Sequence, residues 1–343
     1  MKRIGNLYQD MISIENLKLA DINARKGKLK SYGVKKHIKN EEANILALHD
    51  MLKNRTYRTS KYDIFTIVTD NGKERTIYRL PYFPDRICHH AAMASLEPIW
   101  NKIFIANTFS CIKGRGIHGA AKKVKEALRS PSGNKYCLKI DIKKFYPNID
   151  HDILKQIIRK KIKDQDLLWL LDEIIDSADG VPIGNYLSQF FANLYLAYFD
   201  HWIKEVKKVR FYFRYADDVV ILMDSKEDLN NLLNDIRTYL HKELKLTLKE
   251  NFQIFPVAAR GIDFVGYVFF HTHTLLRKTI KKKFCRRVYK LNKRKNILIE
   301  EYRQLICPWL GWTKYCDSYR LLTKILNDKY DEVTIKQKTA SAA

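Results

Sequence analysis

Two adjacent aspartates at the tip of a strand-turn-strand pattern constrain this chain more than any other feature. Asp217 and Asp218 follow Tyr215-Ala216 and lie between two apolar runs, VRFYFR and VVILM. Runs rich in β-branched and aromatic residues on either side of a short turn read as a hairpin, with strands over 209–215 and 219–223. Adjacent carboxylates in a tight hairpin repel one another unless a cation sits between them. A lone Asp-Asp pair is more often a solvated turn, so the pair needs company. Asp141 supplies it, ending the apolar run CLKID, which reads as a strand over 136–141. Carboxylate oxygens plus water suit magnesium. Two such ions about 3.5–4 Å apart would clamp the attacking and leaving oxygens of an in-line phosphoryl transfer.

Charge narrows the partner. The 343 residues carry 63 Lys and Arg against 38 Asp and Glu, a net +25. A compact fold with that charge repels itself, and a polyanionic partner is the usual reason to tolerate it. A merely soluble basic protein is the bland alternative. Residues 271–343 hold 18 Lys and Arg against 6 Asp and Glu. Residues 277–295 have eleven basic residues and no acidic one, interleaved with Phe284, Val288, Tyr289 and Leu291. That spacing suits a helix with one buried stripe and a basic outer face. A phosphate backbone fits such a face, because each neutralised phosphate releases counterions. A membrane surface would attract it too, but the stripe is too thin for stable insertion.

The six cysteines form no C-x-x-C pair and have no His at metal-ligand spacing, so they read as reduced thiols. The first residues lack the apolar core of a signal peptide. No run approaches the roughly 20 apolar residues of a membrane span. A soluble cytoplasmic protein without a membrane partner is expected. Hydrophobic residues at 46% and charged residues at 29% exclude a disordered chain.

Residues 1–60 read as helical, with 41–52 the clearest amphipathic stretch. Residues 62–80 alternate as a hairpin around Asp70-Asn71-Gly72. A helix is predicted over 85–100, capped by Asp85. Helices from His151 to about 177, over 185–206 and over 227–244 follow. A strand pair near 253–257 and 262–270 precedes the basic helical tail. Elements mixed in this order give an α+β sheet with helices packed on one side.

Several blocks carry a family resemblance. KIDIKKFYPNID, RYADDVVIL, RGIDFVGYVFF, KERTIYRLPYFPDRICHHA and FSCIKGRGIHGA, in that family's order along the chain, resemble the motifs of reverse transcriptases over roughly residues 60–270. The resemblance implies a right-hand polymerase of fingers, palm and thumb, the palm an antiparallel sheet backed by helices and the thumb a basic helical bundle. It places an N-terminal helical extension at 1–60, fingers with part of the palm at 61–135, palm at 136–270 and thumb at 271–343. The implied reaction is RNA-directed DNA synthesis with two Mg2+ ions, Mn2+ being a possible substitute. The implied partners are template RNA, the cDNA/RNA duplex and dNTPs. Asp141 and Asp217 match the metal ligands, with Ile142 in the metal site, and Asp218 matches the third catalytic carboxylate. Tyr146 matches the aromatic that stacks under the deoxyribose and excludes a 2′-hydroxyl, although either Phe145 or Tyr146 must be plain core. Lys73 and Arg75 match triphosphate contacts, where the planar Arg fork suits phosphate, although hairpin-surface cations are as often merely solvated. Lys249 is matched, in a loose local alignment, to the lysine that protonates the leaving pyrophosphate. Arg115, Lys281, Lys282, Lys283, Arg286 and Arg287 are placed on nucleic acid.

One block departs from the broad family. Where most members have Q-G-x-x-x-S-P, this chain has Ile183-Gly184-Asn185-Tyr186-Leu187-Ser188-Gln189. That pattern, with LLRKTIKKKFCRRV and LGWTKYCDSYRLL, resembles reverse transcriptases of diversity-generating retroelements. It places Ile183, Gly184, Ser188 and Gln189 at the nucleotide. Such enzymes copy RNA with errors opposite template adenines for mutagenic retrohoming, and work with a small basic accessory variability protein that forms a barrel. Isoleucine at 183 cannot make the hydrogen bond that glutamine makes, a loss of about 0.5–1.5 kcal/mol and up to roughly tenfold in discrimination. The bland alternative is that Ile183 is core before a helix. Competing readings are a stand-alone bacterial defence or retron-type reverse transcriptase, and a non-catalytic RNA-binding protein on a dead polymerase fold. The Val-Thr-Gly thumb signature of retrons is missing, and a group II intron protein would need maturase and endonuclease segments after the thumb. The three intact aspartates oppose the dead fold.

Overall fold

The computed structural model describes residues 3–69, 72, 74–294 and 297–327. The chain forms two compact units. One comprises Met1–Ile112, Asp141–Val209 and Leu233–Asn251, and the other Lys113–Ile140, Arg210–Leu232 and Phe252–Ala343.

The first unit begins with four helices, Tyr8–Ile12, Ile14–Arg25, Tyr32–Ile38 and Glu41–Lys53. The second starts where the Ser13 hydroxyl accepts from the Asn16 amide, and it buries Leu17, Ala20, Asp21 and Ala24, one face of a 3.6-residue period. The fourth buries Ile45, Leu48 and Leu52, as the sequence periodicity predicts. Strands β1 (Asp63–Val68) and β2 (Glu74–Arg79) pair antiparallel with Val68 opposite Glu74. Of the expected turn only Gly72 is described, at φ +73°.

The next helix is Ile87–Trp100, not 85–100, and Asp85 does not cap it. A wide π-type turn over Tyr82–Arg86 intervenes. Asp85 is instead buried, and its Oδ1 accepts from the Tyr57 hydroxyl at 2.8 Å and the Ser60 amide at 3.0 Å. The helices His151–Arg159 and Gln165–Ile175 do have carboxylate caps, Asp150 and Asp164. The helix expected over 185–206 starts at Ser188 and is broken into Ser188–Tyr195, Ala197–His201 and a π-turn over Trp202–Val206.

In the second unit, β3 (Tyr136–Asp141, whose last residue is counted with the first unit), β4 (Phe211–Tyr215), β5 (Asp218–Met223) and β6 (Gln253–Pro256) form a sheet in the order β4-β5-β3-β6. β4 and β5 are antiparallel, as are β3 and β6. The helix Gly116–Leu128 packs against β4, burying Ala120, Ala121 and Val124. A separate three-stranded sheet comprises β7 (Ile262–Phe264), β8 (Tyr267–Phe269) and β9 (Thr274–Leu276). The expected pairing of 253–257 with 262–270 is therefore corrected. A single helical turn, Val257–Arg260, and Gly261 at φ +71° redirect the chain, so β6 pairs with β3 while β7 pairs with β8.

The tail forms the helices Lys278–Asn292, Ile299–Thr313 and Tyr319–Leu326 around a core that includes Phe284, Val288, Leu291, Tyr302, Ile306 and Leu310. Tyr289 is not in the buried stripe. It is 61% exposed, because one residue beyond Val288 is a step of about 100° around the helix, and Lys293 lies 4.5 Å over its ring. No helix among the described residues is long and apolar enough to cross a membrane.

Candidate active site

The β4–β5 hairpin is tight. Tyr215 pairs with Asp218, leaving Ala216-Asp217 as a two-residue loop. Ala216 adopts φ +54°, a left-handed backbone that costs a non-glycine residue roughly 1–2 kcal/mol. Arg214, fully buried, donates from Nη1 to the Ala216 carbonyl at 3.0 Å. A buried guanidinium thus holds a strained turn that presents Asp217, half-buried, and Asp218 at the head of β5.

β3 is the neighbour of β5 in the sheet. Its Lys139 ammonium lies 3.7 Å from Asp218 Oδ2 and donates to the Asp263 carbonyl. Asp141 follows two residues later on the same strand, hence on the same face. The Asp141 carbonyl accepts from the Lys249 amide at 2.9 Å, and its Oδ2 lies 2.6 Å from Lys249 Nζ. The other oxygen, Oδ1, is buried and accepts no hydrogen bond among the described residues. Ile142 is buried and bridges antiparallel to Leu248, so its main-chain carbonyl is its only group of a kind that binds cations.

Each set of residues, taken in its own unit, fits magnesium. In the first unit Asp141 offers an orphaned carboxylate oxygen with the Lys249 ammonium against its other oxygen, and in the second Asp218 has the Lys139 ammonium beside it, where positive charge is wanted. Among the described residues no three His, Cys, Asp or Glu side chains are already gathered into a closed metal cage.

The residues expected at the nucleotide, Lys73 aside, lie in the first unit. The Tyr78 amide of β2 donates to the Ile183 carbonyl at 2.8 Å, and the Val181 amide donates to the Tyr146 carbonyl at 2.9 Å. Gly184, at φ +132°, lets the two segments approach, since a Cβ there would lie 2.3 Å from the Tyr78 carbonyl oxygen. Phe145 is buried and Tyr146 half-buried, their rings edge-on at 5.5 Å, so Phe145 is the core member of the pair. Ile183 is half-buried, Gln189 exposed, and Ser188 buried with its hydroxyl donating to the Pro182 carbonyl at 2.6 Å. Ser188 therefore clamps its own turn. Arg75 lies exposed on β2 opposite Ile67, and Lys73 falls outside the described residues.

Of the expected nucleic-acid contacts, Arg115 precedes the helix Gly116–Leu128, and burial pushes its pKa down. Lys281, Lys282 and Arg286 are exposed on the basic helix, with Lys283 and Arg287 half-exposed. Sequence reasoning missed Lys139, Arg214 and Asn185, whose amide donates to the Tyr62 hydroxyl at 2.7 Å beneath the 183–189 segment. Lys139 was open to inference from its two-residue spacing to Asp141. Nothing local signals the other two.

Comparison with known proteins gives a consistent picture. A family profile described as reverse transcriptase (RNA-dependent DNA polymerase) matches residues 61–269. Protein YkfC of Escherichia coli strain K12 is 25% identical over 257 residues, 62% of this chain and 66% of that protein. The group II intron-encoded protein LtrA of Lactococcus lactis subsp. cremoris is 23% identical over 299 residues, 66% of this chain and 49% of that one. The chain thus spans about two thirds of the first and half of the second. The retron Ec73 reverse transcriptase of Escherichia coli is 26% identical over 283 residues, covering 77% of this chain and 85% of that enzyme. Among solved structures, apo telomerase from Candida tropicalis superposes with a TM-score of 0.52 at 12% identity, over 81% of this chain and 58% of that one. The shared fold is the α+β right-hand polymerase fold with antiparallel sheets.

Proposed function

This chain belongs to the reverse transcriptase family, and on that premise we propose that it is an RNA-directed DNA polymerase whose Asp141, Asp217 and Asp218 hold two magnesium ions. The supporting observation is the orphaned, buried Oδ1 of Asp141. When bound, the ions (Mg2+, or Mn2+ in its place) supply the positive charge that in-line phosphoryl transfer needs. The Ile142 carbonyl is a further oxygen beside Asp141.

The chain's own residues do the rest. Lys249, held against Asp141, gives a proton from Nζ to the departing pyrophosphate. Tyr146 packs under the deoxyribose and leaves no space for a 2′-hydroxyl, with Phe145 buried beside it to fix the ring. Arg75 and Lys73 meet the triphosphate, while Ile183, Gly184 and Gln189 border the nascent base pair and Ser188 shapes that border. Residues 61–135 serve as fingers, 136–270 as palm and 271–343 as thumb, behind an N-terminal extension over 1–60. Arg115 and the basic face of Lys281, Lys282, Lys283, Arg286 and Arg287 follow the phosphates of template RNA and cDNA. The work is cytoplasmic.

The finer reading is a diversity-generating retroelement enzyme, copying its template with errors opposite adenine and cooperating with a small basic barrel-forming protein. It rests on Ile183 standing where glutamine is usual. A second reading, a stand-alone retron-type enzyme, is favoured by the match to 85% of the retron reverse transcriptase. Primer extension on an RNA template tests the polymerase reading. Asp217→Asn should lower incorporation by orders of magnitude, and undiminished activity would remove the assignment of this site. The error spectrum opposite template adenine separates the two finer readings.

A further inference from the structure

The first unit contains a cavity of about 630 Å³ between the helix Tyr32–Ile38, the loop before it and the segment 79–86. None of its residues has a role above. Lys28, Lys36, Arg79 and Arg86 line it, and no Asp or Glu does. Arg79 is paired with Asp63 on the hairpin. Arg86 is not so placed: its Nε is buried and donates to no acceptor among the described residues. Burial first, and then the charge of Arg86, push the Lys28 pKa down. Lys28 is exposed at the rim and Arg86 half-buried, and the nearest carboxylate, Asp21, is already held by Tyr82 and His37. The buried Arg86 Nε is thus left for a bound phosphate, which it would hold through a charge-assisted hydrogen bond.

The remaining wall suits a flat base. Tyr32 is 81% exposed at the rim, and Phe83 stacks on His37 with ring centroids 6.0 Å apart and planes at 21°. Asn40 adds an amide of the kind that reads base edges, while the Asn44 amide nitrogen is engaged with His37. The volume lies within the range of roughly 300–1,000 Å³ typical of small-ligand sites. A cavity of this size has room for one nucleotide.

We propose that this cavity binds a free nucleoside triphosphate, its phosphates on Arg86, Lys28 and Lys36 and its base against Tyr32 and Phe83. The site stands apart from the polymerase reading and does not depend on it. It has a route to the proposed nucleotide contacts, because Arg79 and Arg86 also line a cavity of about 120 Å³ that includes Gly184 and Tyr186. A ligand on Arg86 therefore acts next to the 183–189 segment.

The test is calorimetric titration of the full Asp217→Asn chain with ATP, in EDTA and low salt and without RNA, so that metal-dependent binding at the aspartates does not contribute. One saturable site is expected, displaced by inorganic triphosphate. Arg86→Gln and Lys28→Gln should weaken ATP binding about tenfold or more. Lys36→Gln, a change at an exposed residue whose fold is to be checked by circular dichroism, should weaken it measurably. The proposal is overturned if ATP shows no saturable binding, or if all three variants bind it as the parent does. It is equally overturned if a single-stranded RNA oligonucleotide, but not ATP, loses affinity in the variants.

Discussion

Replacing Gly184 by alanine probes the contact that ties the β1–β2 hairpin to the 183–189 segment. A Cβ at residue 184 would stand 2.3 Å from the Tyr78 carbonyl oxygen and 3.1 Å from its carbon. Both are backbone atoms, so a rotamer change cannot relieve the clash. The φ of +132° adds about 1–3 kcal/mol of strain for any side chain. Loss of the Ile183–Tyr78 hydrogen bond adds about 0.5–1.5 kcal/mol. The total of about 1.5–4.5 kcal/mol is an upper bound on unfolding, because something softer gives way first. That element is the hairpin. It has two strands, β1 is exposed along its whole length, and such a pair is marginal alone. Gly184→Ala should therefore displace the hairpin, with Arg75 on it, while the remainder of the unit stays folded. A shift of about 1 Å can cost about 100-fold in rate. Single-nucleotide incorporation should show kcat/KM for dNTP down about 100-fold, with the apparent Tm lowered by no more than about 4 °C. Gly27→Ala is the control, since Gly27 also has positive φ but open space around it. Its kinetics should match the parent. Activity of Gly184→Ala within about threefold of the parent would refute the reasoning.

Lys249→Met should slow incorporation by about 100-fold or more, the usual contribution of a general acid. Its ion pair with Asp141 is about one-third exposed on each side, so Tm should hardly move; a large Tm loss with normal kinetics would make Lys249 structural. Ile183→Gln should lower misincorporation opposite template adenine by up to roughly tenfold, and sequencing of cDNA with an unchanged adenine error spectrum would contradict it. Burial pushes the Asp21 carboxyl up, but hydrogen bonds from His37 and Tyr82 and the Arg25 charge outweigh this, and its pKa lies below the ordinary carboxylate value. Its stabilisation is thus complete above the unfolded pKa of about 3.9 and is lost as pH falls through the lower folded value. Melts from pH 6 to pH 3 should therefore fall less steeply for Asp21→Asn than for the parent, and parallel curves would exclude the effect.

The amino-acid sequence by itself determined the local elements and the chemistry-bearing strings. The strand Tyr136–Asp141, the hairpin that carries Asp217 and Asp218, the helix starting at His151 and the basic helix after Arg277 all follow from periodicity, turn residues and caps within a few positions of one another. The tertiary structure alone decided which distant groups meet. Lys249 rests on Asp141, Asp85 receives Tyr57 and Ser60, β6 leaves β7 to pair with β3, and Phe145, not Tyr146, joins the core. The physical reason is range. Helix and strand propensity act between neighbours with a fixed repeat, so they leave a local signature. A pairing between remote segments depends on packing the whole interior at once, and no local pattern of residues marks which partner that packing will select.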